Sequence, residues 1–287
     1  MLDGAGRQRR AEVREIVARA RALAPEDYGR TSILSELHGI KPRAVLAAGV
    51  ELVRSGDPTS MTLAADLLFG LYPRIFTSPL SMSTYRKLVE ELCDTGNEPQ
   101  VLATALRCFA WVKPADPRVL LGLLGHGDAR VRESAVLAVA VRYQVPADEN
   151  VQSTLIKMLE WDPDPGVRII ASAALFDVYR ENPGRHPRIA ETIIALREDP
   201  EPEIRVRAIL VQAAGDTDYA LTQLFNELKG LQPPWQIVGA CSDLDDWPEA
   251  SEPVRAKLRS RLIRLQEQGW AQRYEPGRYP DQADRAE

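Results

Sequence analysis

The sequence predicts an all-α protein: a right-handed α-solenoid of about six two-helix repeats with helical caps at both ends. A helix-start signature, an acidic residue or proline followed by proline or alanine, recurs six times in the 287 residues at spacings of 41, 30, 36, 37 and 32. Apolar residues follow a helical period nearly throughout, and no segment alternates as a strand does. Repeats of this length are typical of stacked helix pairs, none of which buries its apolar face alone. Six residues after the second member of each signature stands an alanine: Ala64, Ala105, Ala135, Ala171, Ala208 and Ala240.

Each signature has a local physical basis. An acidic side chain at the N-cap accepts a hydrogen bond from a free amide and complements the positive end of the helix dipole. Proline fits the first helical position, where its missing N–H is not needed. The apolar residues that follow, for example Val167, Ala171, Ala174 and Leu175, fall on one side of a helix. The small alanine in this stripe predicts a close crossing between inner helices.

The helices follow in order from this periodicity. A first helix covers 6–23 and ends before Pro25, and a short helix covers 31–39. Outer helices are predicted at 43–54, 81–93, 117–124, 149–160, 187–197 and 217–229, and inner helices at 58–71, 99–111, 129–143, 165–180, 202–214 and 234–241. A last helix covers 252–268. We therefore expect N-terminal capping helices in 1–41, the repeat array in 42–244, a C-terminal capping helix in 245–269 and a flexible tail in 270–287.

Three successive turns share a tighter pattern, since segments 126–132, 162–168 and 199–205 read HGDARVR, DPDPGVR and DPEPEIR. This pattern resembles the HEAT-repeat family. The resemblance implies a structural ladder in which a turn aspartate and the arginine six residues later link neighbouring repeats. The matching pairs are Asp162 with Arg168 and Asp199 with Arg205. In the first of the three turns His126 takes the place of the aspartate.

Enzymes similar in fold to HEAT proteins provide two patterns to search for. HEAT-like DNA glycosylases place an aspartate one turn after a tryptophan, whereas Trp111, Trp161 and Trp235 are followed at that distance by Ala115, Pro165 and Gly239. Deoxyhypusine hydroxylases use adjacent His-Glu pairs, whereas His38, His126 and His186 precede Gly39, Gly127 and Pro187. No phosphate-binding loop, zinc spacing or nucleophile elbow is present. We therefore expect no catalytic residue, metal or cofactor. A bilin-type ligand, as in the phycobilin lyases, is neither supported nor excluded by the sequence.

Composition and charge favour a cytoplasmic protein that does not bind nucleic acid in general. There is no apolar run long enough to span a membrane and no signal-peptide pattern. Net charge is −5, although the first and last predicted helices are rich in arginine. The three cysteines are widely spaced, which predicts free buried thiols at Cys93, Cys108 and Cys241. Only six of the 36 basic residues are lysines, which is associated with GC-rich genomes and favours a bacterial source.

The side of each inner helix opposite its core stripe is the candidate binding surface. In the middle repeats this side is unexpectedly apolar, and in the first repeat it includes Asp66 and Phe69. Exposure would create a groove for a helix or an extended segment, whereas tight curvature would bury the same side chains. The predicted groove residues are Arg107, Trp111, Arg130, Glu133, Leu137, Ile169, Phe176, Val206 and Leu210.

From these observations we predict a non-catalytic scaffold that holds a partner protein or peptide along its inner helices. An enzyme or small-molecule carrier with a pocket in the groove is one alternative, for which the available polar groups are Asp66, Arg107 and Glu133. Nucleic-acid binding through the basic end helices is the other. The sequence does not identify the partner, the oligomeric state or the biological process.

Overall fold

A computed structural model describes residues 4–24, 27–71, 79–109, 118–143, 149–181, 183–213 and 223 of the chain. Every regular element in these ranges is a helix, so the predicted all-α fold is confirmed. The chain divides into two compact units, Met1–Val151 and Gln152–Glu287, and the boundary falls in the first turn of the ninth helix. Each unit is described by itself.

The first unit begins with two capping helices and continues with three helix pairs. The caps are α1 (Gly4–Arg21) and α2 (Tyr28–Ser35), and a 3-10 helix (Glu36–Gly39) extends α2. The pairs are α3 (Pro42–Arg54) with α4 (Pro58–Leu71), α5 (Pro79–Leu92) with α6 (Pro99–Phe109), and α7 (Arg118–Leu123) with α8 (Ala129–Tyr143). The inner helices α4, α6 and α8 pack one against the next, and α3 packs against both α1 and α5. This unit therefore has the helix stacking of an α-solenoid, while the handedness of the superhelix stays a prediction.

The second unit contains most of α9 (Glu149–Trp161), followed by α10 (Pro165–Glu181), α11 (Pro187–Ala195) and α12 (Pro202–Ala213). A 3-10 helix (Pro183–Arg185) leads into α11. Helix α10 packs against α12, and α11 packs against both. The sixth predicted pair, the last predicted helix and the tail lie outside the described residues. The domain boundaries after residues 41, 244 and 269 stay predictions.

The helix-start signatures cap their helices as their chemistry requires. Asp57 Oδ1 accepts a hydrogen bond from the Ser60 N–H at 2.9 Å, at the start of α4. At the start of α10, Asp164 Oδ1 accepts one from the Val167 N–H at 3.2 Å. The turn before α4 also requires Gly56, whose φ of 70° lies in the left-handed region that favours glycine. Local chemistry therefore determines where these helices begin.

The signature alanines in the described ranges are all fully buried, with 0% exposure at Ala64, Ala105, Ala135, Ala171 and Ala208. Ala240 lies outside those ranges. Full burial agrees with the close helix crossing predicted at these positions, where a larger side chain would have little room. The buried thiols of Cys93 and Cys108 also belong to the core and are free. Burial raises the pKa of Cys108 to about 12, so this thiol acts as a small apolar side chain.

The predicted helix boundaries differ from the observed ones by a few residues. Helix α2 starts at Tyr28 rather than at residue 31, because Asp27 caps it through a 2.7 Å hydrogen bond from the Gly29 N–H. Its last predicted turn is a 3-10 helix. Helix α11 ends at Ala195 instead of residue 197.

Candidate functional site

The structure divides the predicted groove residues by unit. In the first unit Arg107, Arg130 and Leu137 are exposed, and Glu133 is half-buried. Trp111 lies outside the described residues. In the second unit Ile169 is half-buried, whereas Phe176, Val206 and Leu210 are buried.

The apolar strip of the second unit is therefore core, and the expectation that it lines an open groove is corrected. Phe176, Val206 and Leu210 are 1%, 0% and 1% exposed. The reason is visible in α12, which is buried nearly all round its axis. Its side chains at Ile204, Val206, Ala208, Ile209, Leu210 and Val211 are all buried. The groove prediction assumes that each inner helix has one buried face and one open face. That assumption does not hold for a helix that is covered on several sides.

The first unit keeps an open inner-helix face, centred on an arginine stacked on an aromatic ring. The Arg107 guanidinium carbon of α6 lies 4.6 Å from the centroid of the Phe69 ring of α4. Such a cation–π contact holds the guanidinium plane over the ring. Phe69 is 36% exposed, so the stack faces solvent. Phe69 belongs to the row opposite the core stripe, but it is not among the groove residues predicted from the sequence. Its position in that row, one helical turn after Asp66, is the sequence signal that indicates a place on this face.

A second contact joins α6 to α8. Arg130 Nη1 donates to Gln100 Oε1 at 2.8 Å, between residues 30 positions apart. Helix α8, which packs against α6, also carries Leu137. Leu137 is 38% exposed. We call the set of Phe69, Arg107, Arg130, Glu133 and Leu137 the first-unit face.

The polar side chains at one end of this face are already engaged. The Arg130 side chain reaches back to its own helix start, where Nη2 lies 2.8 Å and Nε 3.1 Å from the two carboxylate oxygens of Asp128. Asp128 in turn caps α8 by accepting a hydrogen bond from the Arg130 N–H at 2.9 Å. Arg130 therefore lies at one end of the face, where its side chain is a structural link between α6 and α8.

Behind the face lies a buried arginine that sequence reasoning missed. Arg30 of α2 is 1% exposed, and its Nη2 lies 2.7 Å from Asp66 Oδ2 of α4. Burial raises the pKa of Asp66, while the positive charges of Arg30 and Arg107 oppose that rise. Composition offered no signal for Arg30, because arginine is almost never fully buried unless it is paired.

A mainly apolar cleft lies beside Asp66 and is also lined by Leu34, Leu37, His38 and Gly70. Its volume of about 10 Å³ has room for about one water molecule. Ligand pockets for drug-sized molecules usually hold about 300–1,000 Å³. Across the described ranges there is no group of three or more His, Cys, Asp or Glu side chains that could hold a metal ion.

The ladder residues hold turns together in the second unit. Arg168 Nη1 donates to the Asp162 carbonyl at 3.4 Å, and its Nη2 lies 3.6 Å from Asp199 Oδ1 in the next turn. Arg205 Nη1 donates to the Asp199 carbonyl at 2.7 Å. Within the turns, the Asp162 and Asp199 carboxylates accept hydrogen bonds from the amides of Asp164 and Glu201. These residues therefore have structural partners within the fold.

His126 takes over the aspartate's place in the corresponding turn of the first unit. Its Nδ1 accepts a hydrogen bond from the Asp128 N–H at 3.0 Å, as the Asp162 carboxylate does in its own turn. Arg132 Nη1 donates to the His126 carbonyl at 2.9 Å. The imidazole therefore preserves the turn geometry despite the change of residue.

Several arginines of the basic first helix are paired with acidic side chains. Arg14 Nη2 lies 3.0 Å from Glu51 Oε1, and Arg19 Nη2 lies 2.7 Å from Glu36 Oε1. Arg21 lies 3.1 Å from Asp57. Each pair reduces the positive field that a nucleic-acid phosphate backbone would meet. The basic residues of the last predicted helix lie outside the described part of the chain.

Comparisons with known proteins identify no family. No protein-family model matches the chain, and no curated protein matches it. Among solved structures, it is similar to a computationally designed armadillo repeat protein for modular peptide recognition, with 18% identity and a TM-score of 0.41 over 78% of this chain and 98% of that one. Among the described residues no helix is long and apolar enough to cross a membrane. The HEAT resemblance and a bacterial source stay predictions.

Proposed function

We propose that this chain is a non-catalytic helical-repeat scaffold that binds a partner protein or peptide on the first-unit face. The observation that carries the proposal is the solvent-facing contact of Arg107 with Phe69, together with the exposed Leu137 on the adjacent helix α8. Aromatic and arginine side chains contribute most of the binding energy at many protein interfaces. Helical repeats stack such side chains in register, which suits an extended or helical partner segment.

The proposed site is narrower than the one predicted from sequence. It keeps Arg107, Arg130, Glu133 and Leu137 and adds Phe69. It omits Trp111, which lies outside the described residues, and the second-unit residues Ile169, Phe176, Val206 and Leu210, of which Ile169 is half-buried and the others are buried. The proposal includes HEAT-like repeats, which the matching hydrogen bonds of the turns at His126, Asp162 and Asp199 support. It also includes a cytoplasmic location, which the free buried thiols of the first unit support.

Site-specific photo-crosslinking tests this proposal. A photoreactive amino acid replaces Leu137 on the first-unit face or, as a control, Val119 on the outer helix α7. The two positions are 38% and 39% exposed in the same unit, so they differ in location and hardly in accessibility. In a lysate of the native host, the probe at position 137 is expected to label a discrete protein that the probe at position 119 does not label. Equal labelling from both positions, or labelling from position 119 alone, would place the binding surface elsewhere.

A further inference from the structure

We infer that the partner of the first-unit face is an acidic polypeptide segment, which places a carboxylate on Arg107 and an apolar side chain against Leu137 and Phe69. This inference rests on the proposed function and adds the chemistry of the partner. The charges around Arg107 carry it.

Arg107 presents a positive charge for which the described residues provide no ion-pair partner within 4.0 Å. Its side chain is exposed and stacks on the Phe69 ring at 4.6 Å. The Phe69 ring covers one side of the guanidinium group, and the N–H groups that it does not cover remain for a carboxylate, which arginine binds in a fork. Because the ring already restrains this side chain, less conformational entropy is lost on binding.

Asp66 is an acidic side chain whose pKa is raised by burial, and the charge of Arg107 opposes that rise, but the ion-pair partner of Asp66 is Arg30. Arg30 Nη2 lies 2.7 Å from Asp66 Oδ2. The cluster thus contains two guanidinium groups, Arg30 and Arg107, and one carboxylate. When Asp66 is ionised, the cluster keeps a net positive charge, and of its two cations Arg107 is the one exposed to solvent.

The other charges of the face leave this position open. Arg130 is bound to Asp128 and Gln100. Glu133 precedes Leu137 by one helical turn and is half-buried, and no ion pair joins it to Arg107. Among the described residues of this face, an approaching segment therefore meets a cation without an ion pair, Arg107, on the exposed ring of Phe69, and the exposed Leu137 on the adjacent helix α8.

The charge of the whole chain restricts the partner further. Net charge is −5, so a polyanion would be repelled at long range and would find a single local cation. An acidic segment with apolar residues gains from both the arginine and its neighbours. This combination favours a short acidic, partly apolar peptide over nucleic acid.

Selection from a displayed library of short random peptides on the full chain tests the inference. We expect the enriched peptides to combine Asp or Glu with Leu, Ile or Phe. Arg107→Glu is expected to weaken their binding at least about tenfold, equivalent to about 1.4 kcal/mol. Arg86→Glu, at an exposed arginine on the outer helix α5, is the matched control and is expected to leave the affinity unchanged. Exchanging the acidic residue of the peptide for lysine should restore binding to the Arg107→Glu protein.

Each other outcome has a distinct meaning. Enriched neutral or basic peptides whose binding is lost in Leu137→Asp would overturn the acidic partner and leave the proposed function standing. Peptides whose binding survives both Leu137→Asp and Arg107→Glu would contradict the acidic partner and the proposed function alike. A library without enriched peptides, or a DNA duplex retained through Arg107, would also overturn the acidic partner, while the cross-linking at position 137 decides the proposed function separately.

Discussion

Arg30 and Asp66 form an asymmetric ion pair: the arginine is sealed from water and the aspartate is not. Their side chains are 1% and 25% exposed, and 2.7 Å separates Arg30 Nη2 from Asp66 Oδ2. Arg30 Nε and Nη1 are buried and find no hydrogen-bond partner among the described residues. The buried positive charge of Arg30 in α2 is therefore compensated by a single carboxylate, that of Asp66 in α4.

The asymmetry predicts unequal effects of the two single substitutions. Asp66→Asn leaves the buried guanidinium without a counter-charge and is expected to destabilise the fold by about 3 kcal/mol or more. Arg30→Met should be milder, because the remaining carboxylate is reached by water and lies near Arg107. Urea unfolding of both variants measures the difference. A double substitution of Arg30→Met with Asp66→Leu should be less destabilising than Asp66→Asn alone, and equal effects of the two single changes would contradict the asymmetry.

The buried alanines predict a strong response to added volume. Ala171→Trp in α10 and Ala208→Trp in α12 introduce a large side chain where exposure is 0%, and each should destabilise by roughly 1–3 kcal/mol or more. Thermal unfolding followed by circular dichroism measures this. Ala195→Trp, at an exposed position at the end of α11, is the control and should melt close to the wild-type temperature. Wild-type melting of both core variants would show that these alanines do not lie at helix crossings.

The burial of the second-unit strip predicts that charges there unfold the protein. Replacing Val206 and Leu210 by Asp puts two carboxylates where exposure is 0% and 1%, at an expected cost of roughly 3 kcal/mol or more. Loss of helical circular dichroism or a large fall in melting temperature is the expected result. Leu137→Asp on the first-unit face is the control and should remain folded. A double variant that melts like the wild type would instead place both side chains in water.

Asp57 predicts an acid-dependent contribution to stability. Hydrogen bonds from Ser60 and Ser55, with the nearby Arg21, lower its pKa from 3.8 to about 2. Because the pKa is lower in the folded state, the stabilisation is complete above about pH 4 and is lost as the pH falls towards 2. The difference in melting temperature between the wild type and Asp57→Asn should shrink over this interval. Glu12→Gln, at an exposed site of α1, is the control, and an Asp57→Asn difference that does not change with pH would contradict the prediction.

Much of the fold was predictable because its determinants are local. The carboxylates of Asp57 and Asp164 cap amides three residues ahead, so the starts of α4 and α10 could be read from short segments. Ala171 and Ala208 mark the close packing because their size alone permits it. The boundary that was displaced most, the start of α2, depends on the cap formed by Asp27, which the periodicity did not include.

The candidate site was predictable in part. The row opposite the core stripe contains Arg107 and Leu137, and the sequence left open whether that row is exposed or covered in either unit. In the structure Arg107 and Leu137 are exposed. The structure decided that Val206 and Leu210 are buried. Burial depends on which other helices lie over a position, and a helical period carries no information about them.

The sequence by itself determined the helices, their capped starts and the small residues at their crossings, because these follow from interactions within a few residues of the chain. Only the tertiary structure decided which inner-helix faces stay open and which charges remain available. Arg30 and Asp66 are far apart in sequence, yet their pairing leaves Arg107 as the exposed cation of the cluster that these three residues form. Charge compensation and burial are set by distance in space, and those distances exist only once the helices have packed.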